Sequence, residues 1–179
     1  INIIAQKAID YSCNMAVLPF GRGNDFARSL DLDTLEKAIE AIRVRKFKSV
    51  RYLKVVFSDN SRISLTNAGV GLLSEASFRA SRVPVLKGSL LYASAALISF
   101  INLKSHKYVV TTDSQKLEMN NLILAGAASE YTGGGMYIAP DAKKFRDKLN
   151  LLFAKKLSRL QAIRLLIKVF SGNHIFHHA

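Results

Sequence analysis

The chain of 179 residues carries 26 Lys and Arg residues against 13 Asp and Glu residues, a formal net charge of +13. Its 49% apolar and 22% charged residues are typical of a globular protein that can bury a core. One cysteine, Cys13, excludes an internal disulfide and fits a reducing compartment. The longest apolar run, 90–103, is shorter than the roughly 20 residues that cross a membrane. We therefore expect a cytoplasmic protein whose positive charge attracts anions: nucleotide phosphates, nucleic acid or an anionic membrane surface.

The N-terminal part of the chain has the pattern of an α/β layer. Apolar residues at near-helical spacing predict a helix over Ile1–Ser12, and the apolar run Met15–Leu18 predicts a short buried strand beside it. Asp33, with Glu36 three positions later, has the spacing of a capping box. This signal predicts a second helix that runs to about Arg45.

A glycine-rich stretch separates the strand from that helix. Gly21 and Gly23 allow a tight turn and a close approach of the backbone to a ligand, and N–H groups where a helix begins attract phosphate. Arg22 adds a positive charge, and Asp25 supplies a carboxylate that suits a phosphate-bound Mg²⁺. The alternative interpretation is an ordinary strand-to-helix turn capped by Asn24 or Asp25.

After residue 48 the pattern becomes rich in β-strands. Arg51–Ser58 and Arg62–Thr66 are joined by Asp59-Asn60, which favours a hairpin. Gly133–Gly135 breaks the later pattern and is typical of a flexible turn at a sheet edge. Further strands are predicted over 108–112, 116–119, 121–128 and 149–153.

Three helices are predicted in the same part of the chain. The first two cover 74–81 and 88–103, and the basic loop between them suits anionic lipid head groups or ordinary solubility. Ser158 is placed to cap a third helix that runs to about Phe170, and Gly172 is placed to end it. The apolar face of this third helix is predicted to contain Leu160, Ile163, Ile167 and Phe170.

A histidine cluster, His174, His177 and His178, follows that helix. As a zinc site it lacks a fourth ligand and the i, i+4 spacing of helical ligands. We therefore interpret His174 as a structural residue.

Three segments, in this order, resemble the diacylglycerol kinase catalytic-domain family, which includes sphingosine kinases and the bacterial YegS-like lipid kinases. LPFGRGNDFARSL at 18–30 is similar to the family's LPxGTGNDFAR, LTNAGVG at 65–71 to NxxGxG, and TGGGMYIAP at 132–140 to GGGMxIAP. The resemblance implies an α/β plus β-sandwich architecture, the NAD kinase/diacylglycerol kinase-like two-domain fold. In this chain, 1–48 would be part of the nucleotide-binding domain and 49–179 an incomplete β-sandwich domain, with the active cleft between them.

The resemblance also implies which residues bind the cofactors, ATP and Mg²⁺. The nucleotide side of the cleft would be lined by Gly21, Arg22, Gly23, Asn24 and Asp25, with the Asp25 carboxylate tied into the Mg²⁺ network. The family's GGDG phosphate loop would precede this sequence, and its catalytic acid would lie beyond Ala179. We therefore expect a fragment that contains no catalytic residue and is inactive alone.

A second metal site is implied by the stretch 140–149, which is similar to the family's P-x-A-x-x-x-D-G-x-L. There Lys144 and Leu149 would offer backbone carbonyls and Asp147 its carboxylate to a structural Mg²⁺. An all-oxygen set suits this ion. From the residues alone, however, an aspartate among basic neighbours is more often part of a surface ion pair.

Three departures from the family pattern remove polar or acidic groups. Arg22 replaces a threonine or serine, Arg51 stands where many relatives have an Asp of the Mg²⁺ network, and Leu73 replaces another common Asp. They leave open a changed acceptor, a changed metal arrangement, or a protein that binds nucleotide without efficient transfer.

The leading hypothesis is an ATP-dependent lipid kinase that transfers the γ-phosphate to a lipid hydroxyl at a membrane surface. Anionic lipid is an expected partner, nucleic acid is not, and self-association is left open. The alternatives are a kinase of a small soluble acceptor such as NAD, and a catalytically weak relative that binds nucleotide or anionic membrane.

Overall fold

The computed structural model describes residues 1–82, 105–144, 147–155 and 157–176. The predicted helix over 88–103 lies outside these residues, as do His177, His178 and Ala179. The helices are α1 (Asn2–Asp10), α2 (Asp25–Ser29), α3 (Leu35–Arg43), α4 (Leu72–Ser81) and α5 (Arg159–Ser171), with a 3₁₀ turn at Asn173–Phe176. The strands are β1 (Leu53–Val56), β2 (Ser61–Ser64), β3 (Asn67–Gly71), β4 (His106–Thr111), β5 (Lys116–Ala127), β6 (Tyr131–Thr132), β7 (Met136–Tyr137) and β8 (Asn150–Lys155).

The long strand β5 pairs with three other strands in an antiparallel sheet. Its first half pairs with β4, and its second half lies between β3 and β8. The sequence predicted two strands here, but the structure has one, with a register irregularity between Asn121 and Ile123. Gly69 explains how closely β3 approaches β5, because a Cβ there would collide with Ala125 and lie 2.7 Å from the Leu124 carbonyl oxygen.

The predicted β1–β2 hairpin is confirmed, and it packs on the N-terminal helices. The pair is antiparallel, with Leu53 opposite Ser64. One apolar cluster joins α1, α2 and the end of this hairpin, so residues of both predicted domains share a core. Its buried members are Ala5, Val17, Phe26, Ala27, Ile63 and Leu65.

Two predictions about the N-terminal part are wrong. Residues 15–18 are not a strand, because none of the described strands lies alongside them to form a ladder, although Val17 is buried. The cap of α3 is Thr34 and not Asp33: the Thr34 hydroxyl accepts a hydrogen bond from the Lys37 backbone N–H. Asp33 instead pairs with the Lys37 ammonium at 2.6 Å.

Helix α5 begins and ends as predicted, but its predicted apolar face is wrong. Ser158 forms a capping box with Gln161, and Gly172 ends the helix in the left-handed conformation, with φ of 76°. The small residue Ala162 and Val169 are buried, because this side of the helix packs towards β7. The large residues of the predicted face are exposed: Leu160, Ile163, Ile167 and Phe170.

The 3₁₀ turn after α5 is fastened to the segment that follows β7. The His174 Nε2–H donates to the Ile138 carbonyl oxygen over 2.9 Å, and the buried Nδ1 has no hydrogen-bond partner among the described residues. The interpretation of His174 as a structural residue fits this contact. Burial lowers the pKa of His174 because it disfavours the charged imidazolium.

This buried histidine predicts an acid-sensitive step in stability. In the unfolded chain His174 takes up a proton near its ordinary pKa of 6.5, while the folded state resists protonation to a lower pH. The contribution of His174 is therefore complete above pH 6.5 and decreases as pH falls towards the folded pKa. Urea unfolding between pH 7.5 and about pH 5 should show a decrease that H174N lacks and H106N, at an exposed histidine, retains. An equal decrease in H174N would contradict this assignment.

Within the described ranges, the structure contains no helix that is both long enough and apolar enough to cross a bilayer.

Candidate functional site

The glycine-rich stretch forms a closed loop before α2. Asn24 adopts the left-handed conformation, with φ of 54° and ψ of 24°, and its side-chain amide donates to the Pro19 carbonyl oxygen over 2.7 Å. A Cβ on Gly21 would lie 3.0 Å from the Asn24 Oδ1 atom, closer than side chains normally pack. This contact explains the glycine, and the loop presents an exposed Arg22 at its tip.

Asp25 joins this loop to the Gly133–Gly135 turn, which is distant in sequence. Its Oδ2 atom accepts the Gly134 N–H over 2.9 Å across 109 residues, and its Oδ1 atom accepts the Gly135 N–H over 2.7 Å. Charge-assisted hydrogen bonds of this kind are among the stronger ones in proteins. The carboxylate therefore binds two of the motif segments to each other.

The three glycines form the turn between β6 and β7. Their φ angles are 60°, 79° and 112°, all in the left-handed range that only glycine adopts without strain. This conformation turns two consecutive N–H groups towards Asp25. The sequence predicted a turn at a sheet edge. In the structure, this turn also donates two backbone hydrogen bonds to the Asp25 carboxylate.

Arg28 completes the cluster on the α2 side. Its NH1 atom lies 3.9 Å from Asp25 Oδ1, and its guanidinium lies 5.7 Å from the centre of the Tyr131 ring. Tyr131 in turn packs against Tyr137, with the ring centres 4.9 Å apart. Sequence reasoning missed Arg28, although its position three residues after Asp25 on a helix was an available signal.

Burial sets the protonation behaviour of Asp25. Desolvation raises the pKa of Asp25 above its ordinary value of 3.8, while the Gly134 and Gly135 N–H groups and the Arg28 charge act in the opposite direction. The folded state therefore holds this proton more tightly than the unfolded chain does. As a result, the free energy of unfolding decreases as pH rises from the ordinary pKa of 3.8 to the higher pKa of the folded state. The site therefore holds a desolvated carboxylate beside two backbone donors.

We expect G135A to disrupt this cluster. A Cβ at position 135 would collide with Arg28 NH1, and the φ of 112° is strained for alanine. The expected result is a loss of about 2 to 3 kcal/mol in the free energy of unfolding, measured with urea. G21A is the matched control: its backbone carries no positive φ, so it should lose less. Equal losses in the two variants would contradict the role given to the turn.

Arg51, which the resemblance puts where many relatives have an Asp, donates to backbone carbonyls. Its Nε atom donates to Ala128 over 3.2 Å and its NH1 atom to Lys148 over 3.0 Å. Its NH2 atom donates to the carbonyl oxygens of Ala127 and Ala142. Four carbonyl oxygens facing one position suit a cation, so an aspartate there would be repelled. This contact set could not be read from the sequence.

The second predicted metal site, Lys144, Asp147 and Leu149, stays a prediction. Asp147 and Leu149 are exposed, and the Lys144 ammonium lies 2.7 Å from an Asp141 carboxylate oxygen. Residues 145 and 146, which lie between the expected ligands, are outside the described residues. In the part of the chain that the structure describes, no three His, Cys, Asp or Glu side chains form a cluster that could hold a metal.

Two family models match the chain. The YegS C-terminal NAD kinase β-sandwich-like domain matches residues 66–179, and the diacylglycerol kinase catalytic domain matches residues 1–55. A diacylglycerol kinase of Mycobacterium tuberculosis strain H37Rv is 30% identical over 166 residues, which cover 90% of this chain and 53% of the relative. A diacylglycerol kinase of Bacillus subtilis strain 168 is 22% identical over 170 residues, covering 93% and 55%. The chain thus spans about half the length of the curated relatives it matches.

The location of the catalytic acid stays a prediction. The acid that the resemblance implies beyond Ala179 lies outside the described residues, which end at Phe176. In the described part of the candidate site, the Asp25 carboxylate and the N–H groups of the glycine turn are suited to binding and positioning a ligand.

Solved structures agree in fold. A crystal structure from Bacillus anthracis strain Sterne, provisionally assigned as a diacylglycerol kinase, has a TM-score of 0.66 and 22% identity, covering 87% of this chain and 51% of that one. A second structure from the same strain gives a TM-score of 0.65 at 19% identity, covering 87% and 52%. The expected fold class, α/β plus β-sandwich of the NAD kinase/diacylglycerol kinase-like type, is therefore confirmed. Because one family model matches well over half of the sequence, the chain belongs to the diacylglycerol kinase and YegS-like family.

Proposed function

We propose that this chain supplies the nucleotide side of an ATP-dependent lipid kinase, with the Asp25 contact to the Gly133–Gly135 turn as the centre of the site. The observation that carries the proposal is that the Asp25 carboxylate, at the end of the glycine loop, accepts hydrogen bonds from a glycine turn 109 residues further along the chain. Phosphoryl transfer depends on positioning and on neutralising the phosphates, and backbone-rich loops of this kind suit that task.

The residues present fit ATP and Mg²⁺. Each Asp25 oxygen accepts one backbone N–H and keeps a further lone pair, so the carboxylate can still reach a metal-bound water. Mg²⁺ is commonly held by one or two carboxylates together with substrate phosphates and waters, which requires no larger acidic cluster. When bound, the ion would neutralise charge on the transferring phosphate. Arg22, exposed at the tip of the loop, would contact a phosphate group.

The acceptor in this proposal is a lipid alcohol presented at a membrane surface. The net charge of +13 favours peripheral attachment to an anionic bilayer on the cytoplasmic side. The relatives named as diacylglycerol kinases support a glycerolipid as the acceptor. The departures at Arg51 and Leu73 support a metal arrangement with fewer carboxylates than the family pattern implies.

The test is transfer of labelled γ-phosphate by the full-length protein in the presence of Mg²⁺. The acceptors are diacylglycerol, sphingosine and undecaprenol in mixed micelles, with NAD as the soluble control. The proposal predicts labelled lipid, with diacylglycerol the best acceptor, and no labelled NAD. Label on NAD alone would favour the soluble-acceptor alternative, and ATP binding without transfer to any acceptor would contradict the kinase assignment.

A further inference from the structure

The C-terminal end of α3 and the residues that follow it form a surface that mixes basic and apolar side chains. Every residue from Ile42 to Phe47 is exposed. Phe47 is 69% exposed and Val44 is 52% exposed, although both are large apolar residues. Arg45 and Lys46 separate them in the sequence. We use the name α3 patch for the five residues Ile42, Val44, Arg45, Lys46 and Phe47.

The backbone at the end of α3 follows the Schellman pattern, with one unusual residue. The Arg45 N–H donates to the Ile42 carbonyl oxygen over 3.1 Å, and the Lys46 N–H donates to the Ala41 carbonyl oxygen over 2.9 Å. Arg45 therefore takes the left-handed conformation, with φ of 50°, at the position where glycine is preferred. An arginine has a steric cost there that glycine avoids. Backbone geometry does not account for the arginine at this position.

The charge around the α3 patch is of one sign. Among the described residues, neither Arg45 nor Lys46 lies within ion-pair distance of a carboxylate, whereas Arg43 is paired with Glu40. The dipole of α3 favours cations at its C-terminal end, but it does not favour exposed apolar residues among them. A partner that offers both negative charge and an apolar layer would account for both. Between Glu40 and Asp59 the sequence has no acidic residue and six basic ones: Arg43, Arg45, Lys46, Lys48, Arg51 and Lys54.

The α3 patch lies outside the cleft between the two parts of the chain. A cavity of about 270 Å³ opens in that cleft, and along this segment its wall begins at Lys48. None of the five residues of the α3 patch is among the described residues that line the cavity. A partner bound to the α3 patch would therefore leave the cleft open.

We propose that the α3 patch is a membrane anchor that binds an anionic bilayer. Phe47 and Val44 would insert at the boundary between head groups and acyl chains, and Arg45 and Lys46 would contact anionic head groups. A bilayer offers negative charge and an apolar layer at one surface, whereas nucleic acid offers no apolar layer for Val44 and Ile42. The inference rests on the membrane attachment in the proposed function, and it identifies the surface that makes this attachment.

The first test removes the charge of the α3 patch. The full-length protein is sedimented with vesicles of phosphatidylcholine, with and without phosphatidylglycerol. We expect R45G/K46Q to weaken binding to the anionic vesicles by about tenfold or more, and to make binding less dependent on salt. Because R45G places the preferred glycine in the left-handed position, this single variant should unfold thermally at a temperature no lower than that of the unmodified protein. Lost binding is thereby separated from lost folding.

The second test removes the apolar contact. F47S should weaken binding to the anionic vesicles by about fivefold and leave the salt dependence unchanged, because the cations remain.

Matched controls remove the same groups from other exposed surfaces. K107Q/R164Q takes two cations from β4 and α5, and F153S takes an exposed phenylalanine from β8. Both controls should bind anionic vesicles more tightly than the corresponding patch variants. Equal losses in patch variants and controls would overturn the proposal, because binding would then depend on total charge and apolar surface and not on the α3 patch.

Phosphoryl transfer to a lipid in mixed micelles, measured in parallel, separates this proposal from the proposed function. Binding to anionic vesicles that is unchanged in both R45G/K46Q and F47S would overturn the anchor and leave the kinase assignment as it is, as would transfer without any vesicle binding. Vesicle binding that the patch variants lose, in a protein that transfers no phosphate, supports the anchor and contradicts the kinase assignment. Binding to double-stranded DNA that R45G/K46Q abolishes, with vesicle binding unchanged, would identify nucleic acid as the partner and overturn the anchor.

Discussion

D25A should lower kcat/KM for ATP by roughly a hundredfold in the full-length protein. Without the carboxylate, the N–H groups of Gly134 and Gly135 lose their acceptor, and the glycine loop is no longer held against the turn. A displacement of about 1 Å in a site that acts by positioning is enough for a loss of this size. The measurement is initial rate against ATP concentration, corrected for the folded fraction.

The design includes a conservative variant and a matched control. D25N keeps the shape of the side chain but offers one oxygen to two N–H donors, so it should recover only part of the activity. D33A removes a carboxylate that pairs with Lys37 on the exposed surface of the same part of the chain, and it should retain full activity. Full activity in D25A would show that the link between loop and turn is dispensable.

R51A should lower the free energy of unfolding by about 2 to 4 kcal/mol. The guanidinium donates to four carbonyl oxygens from three segments: the end of β5, residue 142 and residue 148. Its removal leaves partly buried carbonyl oxygens without a donor. R51D should lower the free energy of unfolding further, because it places an anion among these oxygens. Urea unfolding monitored by circular dichroism measures the loss.

R43A is the matched control for this prediction. Arg43 also makes two close hydrogen bonds, to the Glu40 carboxylate, but both side chains lie on the exposed surface of α3. Exposed ion pairs contribute little, so R43A should lose much less stability than R51A. Similar losses for R51A and R43A would mean that the carbonyl contacts of Arg51 contribute no more than a surface pair.

Local signals in the sequence predicted much of the fold. The β1–β2 hairpin, the Ser158 capping box and the Gly172 helix end all depend on neighbouring residues, and all three are confirmed. Predictions that depend on distant partners did less well. Residues 15–18 have the composition of a strand but no described partner strand. The buried side of α5 is decided by what packs against it and not by its largest residues.

In the candidate site, too, local features could be predicted and contacts between distant residues could not. Its glycines could be predicted because tight turns and close contacts leave a composition that is visible locally. The contacts that join the site could not be predicted, because the hydrogen-bonded residues are far apart in sequence. Asp25 and Gly134 are separated by 109 residues, and Arg51 and Ala142 by 91. Neither pairing leaves a pattern in one sequence. The roles of Gly21 to Asp25 and of Lys144, Asp147 and Leu149 in binding ATP and Mg²⁺ stay predictions.

Hydrogen–deuterium exchange with and without ATP and Mg²⁺ tests the account most directly. The full-length protein is labelled, and peptides that contain 18–30 and 131–140 are compared with a control peptide from β4. We predict that nucleotide slows exchange in both site peptides together, that β4 is unchanged, and that D25A uncouples the two. Slower exchange in only one of the two site peptides, or in neither of them, would contradict the claim that the loop and the turn form one nucleotide site.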